Sequence, residues 1–301
     1  MFRNLFNNIA IKDSKIQHFI LYFALNSLLI VNFGSVRADT FDDVGAAMRH
    51  NDPATALRLL KPLAVNGNPR AQRNMGYSYG HGLGVEQNVT EAAKWYRKAA
   101  EQADVASELE LAILLANGSL GARDFTEAAS WLQKAAEKGN EVAQYNLGII
   151  YINGQGVKQN YESAAHWLEL SAKQGYALAQ CELGYLYGEG YGVPKDYGQA
   201  ANEFKEAAVQ GLPIAEFNLG NMFHLGNGVV RDDVSAYLWY NLAAASGLSQ
   251  AATNRDLVAG LINQAQIATA QEKARDIYAK YGRQRLQWSS YLPDNKIIPL
   301  N

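Results

Sequence analysis

The stretch that decides the fold is "GYLYGEGYGVPKD", residues 184–196, in which a tyrosine lies between two glycines and a valine follows. A phosphate-binding loop can have this composition, but it occurs once in a domain, after a strand and before a helix. Here related stretches recur as "GYSYGHGLGVEQN" from residue 76, "GIIYINGQGVKQN" from 148 and "GNMFHLGNGVVRD" from 220. Their first glycines are separated by multiples of 36 residues. A fixed period of this length indicates stacked supersecondary units and argues against a nucleotide site.

One period, residues 140–175, predicts a helix hairpin. Ala143, Leu147, Gly148 and Tyr151 stand at offsets 0, 4, 5 and 8, which is one face of a first helix, helix A. Gly148 costs that helix about 1 kcal/mol relative to alanine, which is tolerable if the missing side chain lets a second helix approach closely. Gly154 is expected to end helix A, because glycine adopts the left-handed conformation of a helix C-terminus.

A second helix, helix B, begins after the glycine-rich loop in each period. Residues of the N-cap type recur there every 36 positions, at Asn88, Asp124, Asn160, Asp196 and Asp232. Glu91, Glu127 and Gln199 follow three residues later and predict capping boxes. Paired alanines and a tryptophan come next, at Trp95, Trp131, Trp167 and Trp239, with Glu203 as the exception. We expect these residues to be core. Glycines at 67, 139, 175, 211 and 247 are expected to end helix B, with Ala103 in place of one of them.

The two ends of the repeat region deviate from the period. Residues 39–67 are predicted to be an N-terminal capping half-repeat with a shortened helix A, followed by five full repeats over 68–247. Residues 248–282 lose the glycine-rich loop and predict a C-terminal helical cap, and 283–301 contain two prolines and predict an extended tail. The chain is therefore all-α, with about six 36-residue helix hairpins and a helical cap.

The first 38 residues have the pattern of an export signal. Arg3, Lys12 and Lys15 precede an apolar run at 19–34, and small residues around Ala38 fit a cleavage site before Asp39. The run is short for a membrane span, which needs about 20 residues. A cleaved signal peptide, an uncleaved anchor and a buried helix are the alternatives, and the first two predict a periplasmic or secreted protein, most simply a bacterial one.

Composition and motifs argue against several classes of function. The net charge is −2 without a basic stripe, which does not suit nucleic-acid binding. The histidines are scattered, no H-E-x-x-H, G-x-S-x-G or S-x-x-K motif occurs, and we expect no catalytic, metal or cofactor site. Cys181 is the one cysteine, so an intramolecular disulfide is impossible. It is either a small apolar filler or a reactive thiol.

The consensus of this period resembles the Sel-1-like repeat (SLR) family, which is related to tetratricopeptide repeats. Its form is A-Q-x-x-L-G-x-x-Y-x-x-G-x-G-V, then D or N, A-A-x-W and A-A-x-x-G, over about residues 41–282. The copy at 104–139 departs from it, because Ser107, Ala112 and Leu115 replace Ala, Gly and Tyr and a loop glycine is shifted. The resemblance implies a right-handed α-solenoid that serves as an adaptor for protein partners. Exported bacterial members are associated with envelope and host-contact functions.

The face of helix A opposite its packing residues is the predicted partner site. The candidate residues at offsets 2, 3 and 6 are Arg73, Tyr77, Tyr145, Asn146, Ile149, Tyr185, Phe217, Asn218 and Asn221. In tetratricopeptide arrays the equivalent face lines a concave groove, and aromatic anchors with amide neighbours suit a peptide or a helix. The alternative is that these rings pack between adjacent A helices.

Three classes of function remain open at the level of sequence. The first is a non-catalytic scaffold that binds a protein or peptide in the concave groove. The second is a structural or assembly component of an envelope complex, and the third is a peptidoglycan or β-lactam hydrolase, for which the sequence offers no nucleophile and base. A membrane association is expected only if the N-terminal segment is an uncleaved anchor.

Overall fold

The computed structural model describes residues 38–285, and the predicted signal segment lies outside that range except for Ala38. All fourteen regular elements in the described range are α-helices, as the sequence predicted. The chain divides between Trp131 and Leu132 into two compact units. The first unit contains α1 (Ala38–Arg49), α2 (Pro53–Val65), α3 (Pro69–His81), α4 (Val89–Ala100), α5 (Val105–Asn117) and the start of α6 (Phe125–Glu137).

The second unit begins within α6 and contains the remaining eight helices. They are α7 (Glu141–Asn153), α8 (Tyr161–Lys173), α9 (Ala177–Glu189), α10 (Tyr197–Val209), α11 (Pro213–Leu225), α12 (Asp233–Ala245), α13 (Ser249–Ala259) and α14 (Gln264–Arg285). Odd-numbered helices from α3 to α11 correspond to helix A of the period and even-numbered ones from α4 to α12 to helix B. No helix in the described part of the chain has both the length and the apolar composition needed to cross a membrane.

Helix caps follow the predicted period closely. The five N-cap side chains all accept a hydrogen bond from the first turn of helix B; in α4, for example, Asn88 Oδ1 accepts from the Glu91 N–H at 2.9 Å. Gly82, Gly118, Gly154, Gly190 and Gly226 end the A helices in the left-handed conformation. Both features depend on residues close in sequence, so local chemistry is enough to specify them.

Each predicted capping box has only one of its two hydrogen bonds, the one that the N-cap side chain accepts. A capping box requires the N3 side chain to accept from the N-cap N–H. Instead the Asp196 N–H donates to the Tyr187 carbonyl at 2.9 Å, and the Asn88 and Asp124 N–H groups donate to α3 and α5 in the same way. The end of each helix A therefore satisfies the N-cap N–H of its own helix B. Glu127 is left to accept hydrogen bonds from Arg97 and from Trp131.

Close packing within each hairpin depends on the glycine in the middle of helix A. A Cβ on Gly148 would lie 2.8 Å from Leu168 Cγ, and a Cβ on Gly220 would lie 2.7 Å from the Tyr240 ring. Such distances are too short for real carbon contacts, so only glycine lets these helices approach this closely. The predicted reason for a glycine in the middle of a helix is therefore confirmed.

The second glycine of the loop packs against the preceding repeat. Gly192 has φ +71°, and a Cβ there would lie 2.2 Å from the Tyr161 carbonyl oxygen at the start of α8. Gly228 stands in the same relation to Tyr197, and Gly84 to Pro53. Gly190 therefore forms the turn that ends helix A, and Gly192 allows the close contact with the preceding repeat. The turn geometry predicted for Gly190 and Gly192 is confirmed, since both have positive φ.

Glutamine side chains join successive repeats in the second unit. Gln144 Nε2 donates to the Ala136 carbonyl at 3.1 Å, and its Oε1 accepts from Gln174 Nε2 at 2.8 Å. Gln180 and Gln210 repeat this arrangement one period later, with the same 2.8 Å distance between the two amides. These buried amides are satisfied along the stack, which fixes the register of one hairpin on the next.

The N-terminal pair differs from its prediction in one respect. Helix α1 has 12 residues and is not shortened relative to the later A helices, which have 13. Only the loop between α1 and α2 is short, because the glycine-rich segment is missing. At the other end α14 has 22 residues and continues to Arg285, and the residues after it lie outside the described part of the chain.

Candidate partner-binding surface

Two of the predicted site residues lie in the first unit, and both are buried. Arg73 Nη1 donates to Asp104 Oδ2 at 2.7 Å, where both side chains are nearly inaccessible. The Tyr77 ring stacks on His81 with centroids 4.0 Å apart. Burial, reinforced by the nearby Glu110 carboxyl, raises the pKa of Tyr77 to about 12. These two side chains are therefore packing residues, and the prediction that they form an open surface needs correction.

Three more predicted residues, all on α11, are also core. Phe217 is 2% exposed and packs 5.6 Å from the Tyr240 ring, and Asn218 is buried beside it. Asn221 Oδ1 accepts from the Tyr240 hydroxyl at 2.7 Å and lies 3.4 Å from Asn254 Nδ2 on α13. The physical reason is that the large Tyr240 ring of helix B (α12) reaches this side of α11, and that α13 also approaches Asn221 through Asn254. The packing alternative is correct for these residues.

The remaining predicted residues, on α7 and α9, are half-buried and keep part of their surface. Tyr145 meets the Tyr176 ring edge-on, with centroids 5.3 Å apart. Asn146 Nδ2 donates to the Val142 carbonyl of its own helix, which leaves its oxygen available, and Ile149 lies one turn further on. Tyr185 occupies on α9 the position that Ile149 occupies on α7. This part of the predicted face is accessible in the second unit.

Tyr185 belongs to a cluster of three tyrosines, and sequence reasoning identified only Tyr185 among them. Tyr191, in the loop after α9, is 40% exposed and stacks on Tyr161, the first residue of α8, with centroids 5.0 Å apart. Tyr185 lies 6.1 Å from Tyr191 at a tilted angle. We call Tyr161, Tyr185 and Tyr191 the tyrosine cluster. A comparison of the loops could have identified Tyr191, because the equivalent position holds Leu83, Gln155 or Asn227 in other repeats.

An open cleft of about 750 Å³ adjoins the tyrosine cluster. Its walls are Tyr151, residues 157–163 and Gly192. Gln159 Nε2 donates to the Ile152 carbonyl at 2.6 Å and to the Tyr161 hydroxyl at 3.2 Å, so the amide orients that ring. Lys158 and Glu162 are exposed on the walls. The cleft thus combines aromatic faces with amide, hydroxyl and charged groups.

Burial and a nearby carboxyl group both act on the Tyr185 hydroxyl. Partial burial, followed by the nearby Glu189 carboxyl, raises the pKa of Tyr185 above its ordinary value. The hydroxyl is therefore neutral at physiological pH and can both donate and accept hydrogen bonds. Amphipathic rings of this kind are typical of binding surfaces, because they offer apolar area and a polar end with little conformational entropy to lose.

Groups that could support metal chemistry are not gathered in the described residues: no three His, Cys, Asp or Glu side chains there come close enough to hold a metal ion. His224 Nδ1 lies 2.7 Å from Asp233 Oδ1 on the adjoining helix, and His81 is stacked on Tyr77. Cys181 is buried within the core of α9–α12, in agreement with its role as an apolar filler.

Sequence comparison agrees with this geometry. The Sel1 repeat family profile matches residues 69–104, 105–140, 142–176, 177–211 and 213–248. The chain belongs to the Sel1 repeat family. These five Sel1 repeats correspond to the hairpins α3–α4 to α11–α12.

Solved structures of other Sel1 repeat proteins share the fold. A Sel1 repeat protein from Oxalobacter formigenes is 30% identical, with a TM-score of 0.65, over 68% of this chain and 85% of that one. A protective antigen with an SLR fold, present in uropathogenic Escherichia coli strains, is 25% identical with a TM-score of 0.54. That match covers 83% of this chain and 62% of the antigen. A search of curated proteins gives no match.

Proposed function

We propose that this Sel1 repeat protein is a non-catalytic scaffold that binds a protein or peptide partner through the tyrosine cluster of its second unit. The observation that carries the proposal is Tyr191, a large ring held partly exposed between two loop glycines where other repeats have smaller or polar residues. A turn needs no tyrosine at that position. The side chain therefore has a role other than building the loop.

The cleft beside the cluster gives the partner a defined chemistry. Tyr161 and Tyr191 provide an aromatic anchor, and Gln159, Glu162 and Lys158 provide polar contacts around it. Central aromatic anchors with a polar rim are the usual energetic pattern of protein interfaces. Half-exposed Tyr145, Asn146 and Ile149 extend the proposed surface along α7 in place of the buried residues of α11.

We also propose that the scaffold works outside the cytoplasm, in the periplasm or as a secreted protein. The charged, apolar and small-residue pattern of residues 1–38 supports this, and one structural relative is a protective antigen. N-terminal sequencing of the mature protein should begin at or near Asp39. An intact N-terminus on a soluble cytoplasmic protein would contradict export, and an intact one in the membrane fraction would favour an anchor.

Partner binding is best tested by site-specific photocrosslinking in the source cells. A benzoylphenylalanine at position 191 should give a protein adduct, because that ring is proposed to touch the partner. The matched control carries the probe at Asn227, which has the same loop position one repeat later. Adduct yield at 191 should fall when Tyr161→Val is added, since Val89 is the natural residue at the equivalent position. Equal adducts at 191 and 227, or none at 191, would exclude the tyrosine cluster as the binding surface.

A further inference from the structure

The hydroxyl groups of the tyrosine cluster are hydrogen-bond donors that the described part of the chain does not use. Tyr161 accepts from Gln159 Nε2 at 3.2 Å, so its own hydroxyl proton is still available. Within residues 38–285 the hydroxyls of Tyr185 and Tyr191 form no hydrogen bond, and neither side chain is fully buried. A neutral tyrosine hydroxyl donates one hydrogen bond, so the cluster presents three donors to a ligand.

The three rings form a corner and not a flat patch. The rings of Tyr161 and Tyr191 are nearly parallel, with an angle of 27° between them and centroids 5.0 Å apart. The Tyr185 ring is inclined at 60° to that of Tyr191, with centroids 6.1 Å apart. These separations are half the width of an α-helix with its side chains, which is about 10–12 Å. The cluster therefore suits the narrow ridge of one extended chain better than the side of a helix.

The donors of the cluster favour an extended chain that brings few N–H groups of its own. An ordinary extended peptide carries one N–H for each residue, and leaving a buried N–H without an acceptor is unfavourable. Proline has no N–H, and its carbonyl accepts hydrogen bonds. A proline-rich segment also adopts the polyproline II conformation before it binds, so it loses little conformational entropy. Tyrosine rings and hydroxyls together therefore match both the side chains and the carbonyls of such a segment.

Glu189 lies beside the cluster without a basic partner among the described residues. It is the last residue of α9, and it is close enough to Tyr185 and Lys195 for an electrostatic interaction with both. Lys195 Nζ instead lies over the Tyr197 ring, 4.8 Å from its centroid, and within residues 38–285 Glu189 forms no ion pair. A basic side chain of a ligand can therefore pair with this carboxylate at the edge of the tyrosine cluster.

We propose that the partner of the tyrosine cluster is a proline-rich segment in the polyproline II conformation, with an arginine or lysine next to the prolines. Because it names the partner of the same surface, this proposal depends on the proposed function. Proline rings pack in the corner between Tyr185 and Tyr191, and the tyrosine hydroxyls donate to the carbonyls of the segment. The basic residue pairs with Glu189.

Calorimetric titration of the whole purified protein with defined peptides tests the choice of partner. The probes are a short polyproline peptide with one central arginine, a copy with alanine in place of every proline, and a copy with glutamine in place of the arginine. The proline peptide should bind about tenfold more tightly than the alanine copy, because it loses less conformational entropy. Equal affinities, or no binding of either peptide, would overturn the proposal.

Variants of the loop connect this binding to the tyrosine cluster. Tyr191→Asn should weaken binding of the proline peptide by about tenfold, because an aromatic anchor is lost. Asn227→Ala, at the same loop position one repeat later, is the matched control and should leave the affinity unchanged. The melting temperatures of both variants show that the fold is intact. Equal affinities of the wild type and Tyr191→Asn would place the peptide elsewhere and contradict the proposal.

Glu189→Gln separates the charge contact from the ring contacts. The substitution should weaken binding of the arginine peptide by about threefold, as expected for an exposed ion pair, and leave the glutamine copy unchanged. Glu272→Gln, the same charge change at an exposed position on α14, is the control and should affect neither peptide. An equal loss for both peptides in Glu189→Gln, or no loss for either, would overturn the pairing of a basic residue with Glu189.

The photocrosslinked adduct at position 191 distinguishes failure of this proposal from failure of the proposed function. Mass spectrometry of the adduct identifies the partner segment that touches the ring, and a proline-rich segment supports both proposals. An adduct with a segment that lacks proline would keep the tyrosine cluster as the binding surface and overturn the proline-rich partner. Binding of an N-acetylglucosamine oligomer that Tyr191→Asn abolishes, without binding of the proline peptide, would make a glycan the ligand and contradict both.

Discussion

The Sel1 repeats at 105–140 and 177–211 both depart from the common pattern, but they do so in different places. The earlier repeat has its second loop glycine at Gly121, where a Cβ would meet nothing, and keeps a buried Trp131. The later repeat keeps Gly192 against Tyr161, has Glu203 in the tryptophan position and adds Tyr191. The contact of the loop with the preceding repeat and the filling of the tryptophan position are therefore independent. The earlier repeat lacks the first, and the later repeat lacks the second. The changed residues of the later repeat are polar or exposed, which is where binding chemistry is expected.

The largest expected effect separates the two residues at the tryptophan position. Trp131 is 7% exposed and its Nε1 donates to Glu127. Trp131→Ala should lower the free energy of unfolding by about 3–5 kcal/mol, because a large buried ring is lost. Glu203→Ala, in the same register, should change it by less than about 1 kcal/mol. Urea denaturation followed by circular dichroism measures both. Equal losses in the free energy of unfolding would mean that the buried ring of Trp131 stabilises the fold no more than Glu203 does.

The next effect separates the two loop glycines. Gly192→Ala should cost about 3 kcal/mol or more, because strain at positive φ adds to overlap with the Tyr161 backbone. Gly121→Ala has the strain alone and should cost about 1–2 kcal/mol. Thermal melting of the two variants gives the difference, which is the value of the contact between repeats. If Gly121→Ala is as damaging as Gly192→Ala, the loop contact contributes nothing beyond the turn.

A smaller effect concerns the pH dependence that Glu203 introduces. Burial, with Glu206 and Glu169 nearby, raises the pKa of Glu203 to about 7, while Lys173 opposes the shift. Between pH 4.5 and 7 the folded protein keeps a proton that the unfolded chain has released, so stability falls as pH rises through this window.

Glu203→Gln should remove this contribution. The variant should lose less stability than the wild type between pH 5 and pH 8, by about 1 kcal/mol, since partial exposure screens the charges. Chemical denaturation at the two pH values measures the difference. Lys205→Gln, an exposed neighbour on α10, is the control and should keep the wild-type slope. A Glu203→Gln slope equal to that of the wild type would contradict a raised pKa.

The smallest expected effect on stability belongs to the proposed binding residue. Tyr191→Asn copies the residue that Asn227 provides in the next loop and leaves both flanking glycines in place. The free energy of unfolding should change by less than about 0.5 kcal/mol, as for most exposed positions. A melting temperature far below that of the wild type would show that Tyr191 stabilises the loop, and its exposure would then need no partner to explain it.

Sequence was sufficient for the period and for the ends of most helices. Asn88, Asn160 and Asp232 cap helix B as predicted, and Gly154 and Gly190 end helix A as predicted. These features depend on hydrogen bonds and backbone conformations within a few residues, so they can be recognised locally. Even Ala103 adopts φ +66° where the other repeats have glycine, because the period demands that conformation.

The candidate site was less predictable than the fold. Helical periodicity places Phe217 and Asn221 opposite the hairpin core, but in the structure both contact Tyr240 of helix B, and Asn221 also lies near Asn254 on α13. Tyr185 was predicted because it lies on the face of helix A opposite the packing residues. Tyr161 and Tyr191 were missed because they lie at a helix start and in a loop, outside that face.

The sequence by itself determined a stack of helix hairpins with glycine turns, because each repeat encodes its own caps, turns and packing face. Tertiary structure alone decided which outer faces stay open, since that depends on the neighbouring repeat. It brings Tyr161 and Tyr191 into contact across 30 residues of chain. It also makes the Tyr187 carbonyl, and not the predicted Gln199 side chain, the acceptor for the N–H of Asp196. Both are contacts between elements, and the free energy of such contacts comes from burial and geometry that no local pattern contains.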